Sequence, residues 1–341
     1  MGVQFLRFCF SPIPIDRLFP MVIWCNTVFN PDADRQLREF LKGHTVILPE
    51  SASRAVLDAG EADPALLDAD IAFGQPDVGQ LMSPHRLRWV QLSSAGYSRY
   101  DRDDLRTSLQ ARNVPLTTSS NVFAESCSQH LLAMMLAQAR QLPFSLVDQM
   151  TNRGWAYDRR RYDSRLMTGQ SVLIFGYGTI ARRLVDLLAP FKMDIAAVRR
   201  TPTGDEGVKI VAPADIGAEL AKADHVVNVL PLSPATDRYF DAAKFAAMKP
   251  DACFYNVGRG PTVDQEAIRA ALEAAKLGFA YLDVTEPEPL PPDHPLWSTK
   301  NCFITPHTAG GRRDQDEALV QHFLDNLARL ERGEPLANRV I

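Results

Sequence analysis

The stretch VLIFGYGTIA, residues 172–181, decides the fold, because an apolar run ends in closely spaced glycines before a helical pattern. It fits G-x-G-x-x-G/A, in which the first glycine permits a tight turn and the second lets the backbone approach a pyrophosphate. The free N–H groups at the start of the following helix favour an anion. The stretch therefore predicts a dinucleotide-binding strand-turn-helix unit. The residues expected at the phosphates are Gly176, Gly178, Thr179 and Ile180.

The second strand of this unit ends in AAVRRTPTG, residues 196–204. A carboxylate there would accept hydrogen bonds from the ribose of NAD and would repel the extra phosphate of NADP. Arg199 and Arg200, followed by Thr201, instead offer donors suited to a phosphate, which a guanidinium binds in bidentate fashion. This predicts NADP(H) as the preferred cofactor. NAD(H) is the alternative if both arginines are merely solvated at a strand end.

Length and composition limit the classes of function. A chain of 341 residues suits two domains, and 46% hydrophobic with 23% charged residues is the balance of a globular protein. A formal net charge of −4 gives no general attraction for nucleic acid or for anionic lipid. We therefore expect neither a nucleic acid nor a membrane as partner.

The five cysteines are far apart and form neither a C-x-x-C pair nor a zinc-ligand run. We expect reduced thiols, a cytoplasmic protein and no metal site. No apolar run approaches the roughly 18 residues needed to span a bilayer. Residues 1–20 contain prolines and Asp16 within a short apolar patch and lack a small-residue cleavage site. They are expected to form an N-terminal extension outside the fold.

Two series of β-rich runs alternate with amphipathic segments, which predicts two doubly wound parallel-sheet α/β domains. The first series begins with MVIWCNTV at residue 21. Strands of the second are expected at residues 171–175, 194–198, 225–229, 252–256, 278–283 and 302–305. The expected domains are a flavodoxin-like substrate domain, 21–119 plus 313–341, and a Rossmann-type dinucleotide-binding domain, 120–312, with the active site in the cleft between them.

The pattern also predicts the helices that join these domains. A long helix from about Ala124 to Leu142, ended by Pro143, should form the bridge, and a final amphipathic helix should cover 311–332. The arginine-rich stretch 152–169 is expected to be a loop with a solvated basic face.

Three later segments carry residues suited to acid-base and anion chemistry. YNVGRGPTVD contains Arg259, AYLDVTEPEPLP contains Asp283 and Glu288, and FITPHTAGG contains His307. Since ligands bind outside the carboxyl ends of strands in open α/β sheets, these segments should converge. The alternatives are a turn-capping arginine, a surface glutamate in a proline-rich loop and a structural histidine.

The motifs NVGRG, LDV-x-EPEPLP, HPLW and TPH-x-AG, in this order after the glycine turn, make residues 21–335 resemble the D-isomer-specific 2-hydroxyacid dehydrogenases. The resemblance implies that Arg259, Glu288 and His307 are catalytic and that Asp283 meets the nicotinamide carboxamide. It also implies that His307 contacts the cofactor. Further cofactor contacts are implied for Leu230, Pro231, Val257, Gly258, Asp283 and Gly310.

These residue types suit the reduction of a 2-oxo acid. Arg259 can bind the carboxylate and polarise the carbonyl, and His307 can donate the proton that the new alkoxide needs. Glu288 would favour the protonated ring. The dinucleotide supplies the hydride.

In the first domain, QLSSAGYSRYD, residues 91–101, resembles the substrate loop of the same family. The backbone N–H groups of Ala95 and Gly96 would hold the substrate carboxylate opposite Arg259, with Gly74 in a neighbouring turn. Tyr97 replaces a residue that is often small and aliphatic, and Ser128-Gln129 replaces a common Ala-Glu pair.

The expected activity is the reduction of a small 2-oxo acid such as glyoxylate or hydroxypyruvate, or the reverse oxidation of a D-2-hydroxy acid. The resemblance implies a homodimer formed through the dinucleotide-binding domains. A phosphorylated substrate, with Arg159–Arg161 as its partners, stays open. The rival hypothesis is a non-enzymatic dinucleotide sensor resembling the C-terminal binding proteins, which are transcriptional corepressors.

Overall fold

The computed structural model describes residues 20–53, 60–83 and 86–341. The predicted N-terminal extension falls almost entirely on residues 1–19, which lie outside the described residues.

The first sheet has five parallel strands: β1 (Val22–Cys25), β2 (Thr45–Ile47), β3 (Ile71–Gly74), β4 (Trp89–Leu92) and β5 (Leu116–Thr117). Their order is β2-β1-β3-β4-β5, the flavodoxin-like order expected from the sequence. Helices α1 (Pro31–Phe40), α2 (Val78–Met82) and α3 (Asp103–Ala111) lie among the connections. Strands β3 and β4 are buried along their whole length, which explains why their sequences lack the alternation of a half-buried strand.

The second sheet has seven parallel strands: β6 (Ser171–Phe175), β7 (Asp194–Val198), β8 (Lys209–Ile210), β9 (His225–Asn228), β10 (Cys253–Asn256), β11 (Phe279–Leu282) and β12 (Cys302–Ile304). The strands are connected by helices α7 (Thr179–Leu188), α8 (Ile216–Leu220), α9 (Ala242–Ala247) and α10 (Gln265–Glu273). Three further helices, α4 to α6, precede β6 in the chain. The order β8-β7-β6-β9-β10-β11-β12 is the Rossmann arrangement, with its reversal between β6 and β9. The two-residue strand β8 was not predicted, since so short a run has no readable period.

Between the sheets come helices α4 (Ser120–Ala139), α5 (Leu142–Thr151) and α6 (Tyr157–Asp163). The bridging helix thus begins four residues before the predicted Ala124. The predicted end at Pro143 was wrong, because this proline lies in the first turn of α5, where its missing N–H costs no helical hydrogen bond. The predicted arginine-rich loop was also wrong in part, since it contains α6.

The last helix, α11 (Gln315–Glu331), returns to the first sheet. The Phe323 ring stacks on Phe73, with centroids 4.4 Å apart, and on Trp89, with centroids 5.2 Å apart. The first half of α4 shares this core through Val122 and Phe123. Its second half, including Leu131 and Met135, packs in the core of the second sheet. Helix α4 therefore connects both cores. None of the described helices is long and apolar enough to cross a membrane.

Candidate active site

The glycine turn lies where the second sheet reverses its strand order. Gly176 has a φ of +90°, a left-handed conformation that favours glycine, and a Cβ there would lie 2.9 Å from the carbonyl oxygen of Val229. Gly176 therefore permits both the turn after β6 and its close approach to the chain leaving β9.

Gly178 precedes the first residue of α7 and faces open space, since a Cβ there would meet no atom within 4 Å. Thr179 and Ile180 form the first turn of this ten-residue helix. Its unpaired N–H groups and positive dipole end suit a phosphate that approaches past Gly178. The turn therefore fits the pyrophosphate of a dinucleotide.

The two arginines after β7 have different surroundings. Arg199 Nη1 lies 3.1 Å from Glu206 Oε1, and the Glu206 side chain is only 4% exposed. Glu206 also accepts hydrogen bonds from the N–H groups of Thr203 at 2.6 Å and Gly204 at 2.9 Å. These donors, the Thr203 N–H first, lower the pKa of Glu206 to about 2. A carboxylate that is ionised at neutral pH thus neutralises Arg199.

Arg200 is exposed, and no carboxylate among the described residues forms a salt bridge with it. Its positive charge acts on Tyr97 of the first domain: burial raises the pKa of Tyr97, and Arg200 is among the charges that oppose this rise. Thr201 is also exposed. Of the two predicted arginines, Arg200 is the one whose charge remains available to a phosphate.

Two buried asparagines hold the NVGRG loop. Asn228 and Asn256 occupy paired positions at the ends of β9 and β10, and the Asn228 amide donates to Asn256 Oδ1 at 3.1 Å. Asn256 Oδ1 accepts from the Gly258 N–H at 3.0 Å, and its amide donates to the Arg259 carbonyl at 3.2 Å. A Cβ on Gly258 would lie 2.7 Å from the Leu230 carbonyl oxygen, so this glycine permits close packing of the two loops.

The Arg259 side chain crosses the cleft to the first domain. A Cβ built on Gly96 would lie 1.4 Å from Arg259 Nη2, so the guanidinium occupies the space that a side chain at Gly96 would need. Arg259 Nη1 donates to the Gly258 carbonyl at 2.6 Å. Burial lowers the pKa of Arg259, and the charge of Glu288 opposes this effect. The arginine is thus a partly desolvated cation beside the predicted substrate loop.

Gln75 braces that loop. Its amide donates to Ser93 Oγ at 3.1 Å and Ser94 Oγ at 3.0 Å, and Ser94 Oγ donates to the Gly96 carbonyl at 2.6 Å. Ala95 lies at the edge of the first domain's core. Gly74 is buried against Asn26, and its role in substrate binding stays a prediction.

His307 Nδ1 and Glu288 Oε2 lie 2.8 Å apart, a hydrogen bond that becomes an ion pair when the ring is protonated. Glu288 Oε1 also accepts from the Thr285 N–H at 3.0 Å. Burial alone would raise the pKa of Glu288, but the hydrogen bonds from His307 and Thr285 and the positive charges of His307 and Arg259 outweigh it and lower that pKa. Glu288 is therefore a carboxylate at neutral pH, and Arg259, Glu288 and His307 act on one another in one cleft.

Asp283 holds the loop that carries His307. Its carboxylate accepts hydrogen bonds from Thr305 Oγ1 at 2.6 Å, the Thr308 N–H at 2.8 Å and the Ala309 N–H at 3.0 Å. Its backbone carbonyl accepts from the His307 N–H at 2.8 Å. His307 has a φ of 52°, a left-handed conformation that a non-glycine residue keeps only when its surroundings hold it. The hydrogen bonds of Asp283 contribute to that support.

The remaining predicted cofactor residues line the same edge of the second sheet. Leu230 and Pro231 follow β9, and Val257 follows β10. Gly310 lies against α4, where a Cβ would be 3.1 Å from the Phe123 ring. Their predicted contacts with the cofactor stay predictions.

Arg159–Arg161 were wrongly considered as partners of a substrate phosphate within one chain. They lie on α6, and Arg159 and Arg160 share a cavity with Asp224, Asp251 and Cys253. Those residues lie at the amino ends of the strands, at the opposite edge of the sheet from Arg259. Arg160 is paired with Asp148 at 2.6 Å.

Comparison with known proteins agrees with this architecture. A family model described as the D-isomer specific 2-hydroxyacid dehydrogenase, NAD binding domain, matches residues 132–309. Glyoxylate/hydroxypyruvate reductase B of Escherichia fergusonii is 32% identical over 246 residues, covering 71% of this chain and 74% of that protein.

Two solved structures cover 94% of this chain and 98% of their own. One is a D-isomer specific 2-hydroxyacid dehydrogenase from Xanthobacter autotrophicus in complex with NADPH and MES, with a TM-score of 0.78 and 27% identity. The other is an NADPH-dependent glyoxylate/hydroxypyruvate reductase from Sinorhizobium meliloti in complex with NADP and sulfate, with a TM-score of 0.74 and 25% identity. Since the family model covers more than half of the chain and both α/β sheets are shared, this protein belongs to the D-isomer specific 2-hydroxyacid dehydrogenases, a family of NAD(P)-dependent oxidoreductases.

Proposed function

We propose that this protein reduces a small 2-oxo acid, such as glyoxylate or hydroxypyruvate, to the D-2-hydroxy acid, chiefly with NADPH. The observation that carries the proposal is the convergence of Arg259 and the His307–Glu288 pair in the cleft beside Gly96. The named relatives act as glyoxylate and hydroxypyruvate reductases, which supports the choice of substrate.

The chain's own groups provide charge and a proton. The Arg259 guanidinium binds the substrate carboxylate together with the N–H groups of Ala95 and Gly96, and it draws electron density toward the carbonyl oxygen. His307 holds a proton that passes to this oxygen as the alcohol forms, and solvent then returns a proton to the ring. Glu288 orients the ring through Nδ1 and stabilises its charge, which leaves Nε2 for the substrate.

A bound nicotinamide dinucleotide supplies the hydride that reduces C2. We propose that its phosphates lie against Gly176, Gly178, Thr179 and Ile180, and its nicotinamide end near Asp283. Asp283 Oδ2 accepts one hydrogen bond, from Ala309, and so retains capacity to accept from a carboxamide.

We also propose domain boundaries. The substrate domain comprises residues 21–119 and 313–341, supported by the packing of Phe323 between Phe73 and Trp89. The dinucleotide-binding domain comprises 120–312, although the first half of α4 also packs in the substrate-domain core.

A steady-state scan of glyoxylate, hydroxypyruvate, pyruvate and phenylpyruvate, each with NADPH and NADH, tests the activity. We expect turnover of glyoxylate, hydroxypyruvate or both, with kcat/KM in the range of about 10⁴ M⁻¹s⁻¹ or above. Absorbance at the nicotinamide band measures it. Cofactor binding without turnover of any acid would instead support the dinucleotide-sensor alternative.

Cofactor choice depends on Arg200 in this account. We expect kcat/KM for NADPH to exceed that for NADH, because Arg200 is the uncompensated cation at the end of β7. Arg200→Ser should lower the NADPH value about 10-fold or more, the worth of one charge-assisted phosphate contact, and leave the NADH value within about 2-fold. Arg35→Ser, which alters an exposed arginine on α1, is the control. An NADPH/NADH ratio of one or less in the unmodified enzyme would refute the preference.

The Glu288 charge should set the pH range of reduction. Its lowered pKa keeps it ionised, so it favours the protonated His307 ring that reduction requires. Glu288→Gln removes the charge, so we expect kcat at neutral pH to fall about 10-fold to 100-fold. In a plot of kcat against pH, the decline on the alkaline side should begin at lower pH than in the unmodified enzyme. The control is Glu286→Gln, an exposed neighbour. A Glu288→Gln profile that superimposes on the unmodified one would contradict the assigned role.

We propose a homodimer, as the resemblance implied, and a cytoplasmic location, as the separated cysteines indicated. Helix α5 and the segment after it supply the dimer surface. Leu146, Met150 and Trp155 are large apolar residues with 57%, 85% and 91% exposure, an unusual density for a free surface. Sedimentation velocity should give twice the chain mass of 37.9 kDa, and Met150→Glu should shift it to the single chain. A single-chain mass for the unmodified protein would exclude the dimer.

The four described cysteines are unpaired, consistent with a reducing compartment.

A further inference from the structure

One face of α4 supports the loop that carries His307. Phe123, Ser126, Cys127 and His130 recur at helical spacing and therefore lie on the same side of the helix. Ser126 Oγ donates to the Gly310 carbonyl at 2.9 Å, and Phe123 packs where a Cβ on Gly310 would lie. His130 Nε2 lies 3.3 Å from Thr305 Oγ1, at the start of the same loop.

The direction of the hydrogen bonds follows from the number of protons. The Thr305 hydroxyl has one proton, which it donates to Asp283 Oδ1 at 2.6 Å, because a carboxylate held by two backbone N–H groups can only accept. The Thr305 oxygen must therefore accept from His130, whose Nε2 carries the hydrogen. This fixes the His130 tautomer and gives one continuous chain of donors from His130 through Thr305 to Asp283.

Packing alone does not hold the middle of this chain. A cavity of about 30 Å³ lies beside it, lined in part by His130, Asp283 and Thr305. Without a donor at His130, the Thr305 hydroxyl proton can turn toward this space, and the Asp283 carboxylate then loses one of its three hydrogen-bond donors. The same carboxylate holds the Thr308 and Ala309 N–H groups, and the loop must keep His307 at a φ of 52°.

We propose that His130 is a positioning residue for the proposed reaction: it holds Asp283 through Thr305 and thereby keeps the His307 ring in its productive place. His130 acts only through Thr305 and Asp283, and it neither binds the substrate nor transfers the proton in the proposed reaction. The inference rests on the proposed function only for its kinetic consequence.

Four variants test the kinetic consequence. His130→Leu removes the donor, and His130→Gln restores an N–H at a similar reach. Thr305→Val removes the hydroxyl, and Thr305→Ser keeps it. Because a small displacement of a catalytic group slows chemistry more than it weakens binding, we expect His130→Leu to lower kcat about 10-fold with KM for the 2-oxo acid within about 2-fold.

His130→Gln should recover kcat to within about 3-fold of the unmodified enzyme, as an intact donor requires. In a Thr305→Val background, His130→Leu should cause no further loss, because both act through one hydrogen bond. Thermal unfolding of each variant identifies any that fails to fold. The proposal is overturned if His130→Leu keeps full kcat, if glutamine is no better than leucine, or if the effect persists in Thr305→Val.

A second measurement does not depend on activity. In protein labelled with ¹⁵N at its seven histidines, the His130 ring should show hydrogen on Nε2, and Thr305→Val should shift this signal while Thr305→Ser leaves it nearly unchanged. Hydrogen on Nδ1 alone, or no response to Thr305→Val, would overturn the inference. If the unmodified protein turned over no 2-oxo acid, the proposed function would fail. The spectrum would still test whether His130 donates a hydrogen bond to Thr305.

Discussion

The hydrogen bonds to Asp283 are the interaction on which the candidate site most depends. Asp283 follows β11, and its carboxylate joins the loop after β12 to the end of its neighbouring strand. Strand β10, on the other side of β11, ends in the loop that carries Arg259. Because β10, β11 and β12 are parallel, the loops that carry Arg259 and His307 lie at the same edge of the sheet. The hydrogen bonds of Asp283 hold the His307 loop close to that edge.

The second requirement is electrostatic. Arg259 is partly desolvated and faces Gly96 across the cleft. The charge of Arg259 and the hydrogen bond from His307 both lower the pKa of Glu288. A carboxylate shared in this way lets Arg259 and a protonated His307 ring lie close without strong mutual repulsion. The first domain offers the backbone N–H groups of Ala95 and Gly96, so under the proposed function an anionic substrate would meet a cation on one side and peptide dipoles on the other.

Much of this could be predicted from the sequence, because buried parallel strands and glycine turns leave local patterns. Six of the seven strands of the second sheet and the grouping of Arg259, Glu288 and His307 followed from such patterns. The partners of these residues could not be read in the same way. Glu206 neutralises Arg199 from seven residues away through a folded loop, and neither Gln75 nor His130 belongs to a motif.

The errors have physical causes as well. Pro143 was taken to end α4, although proline also suits the first turn of a new helix, which is where it lies. The arginine-rich stretch formed α6 because Arg160 is neutralised by Asp148 and packs over the Phe144 ring at 5.1 Å, contacts that depend on tertiary structure. Burial and pairing therefore decided the cases in which local charge and proline patterns were ambiguous.

The central claim is that Arg259 and His307 act on the same substrate oxygen. A crystal structure with NADP⁺ and oxamate, an unreactive analogue of a 2-oxo acid, tests it most directly. The account predicts an Arg259 nitrogen and His307 Nε2 both within hydrogen-bond distance, roughly 2.7 to 3.2 Å, of the oxygen that corresponds to the carbonyl. Oxamate bound to Arg259 with His307 directed into a different cavity would contradict it.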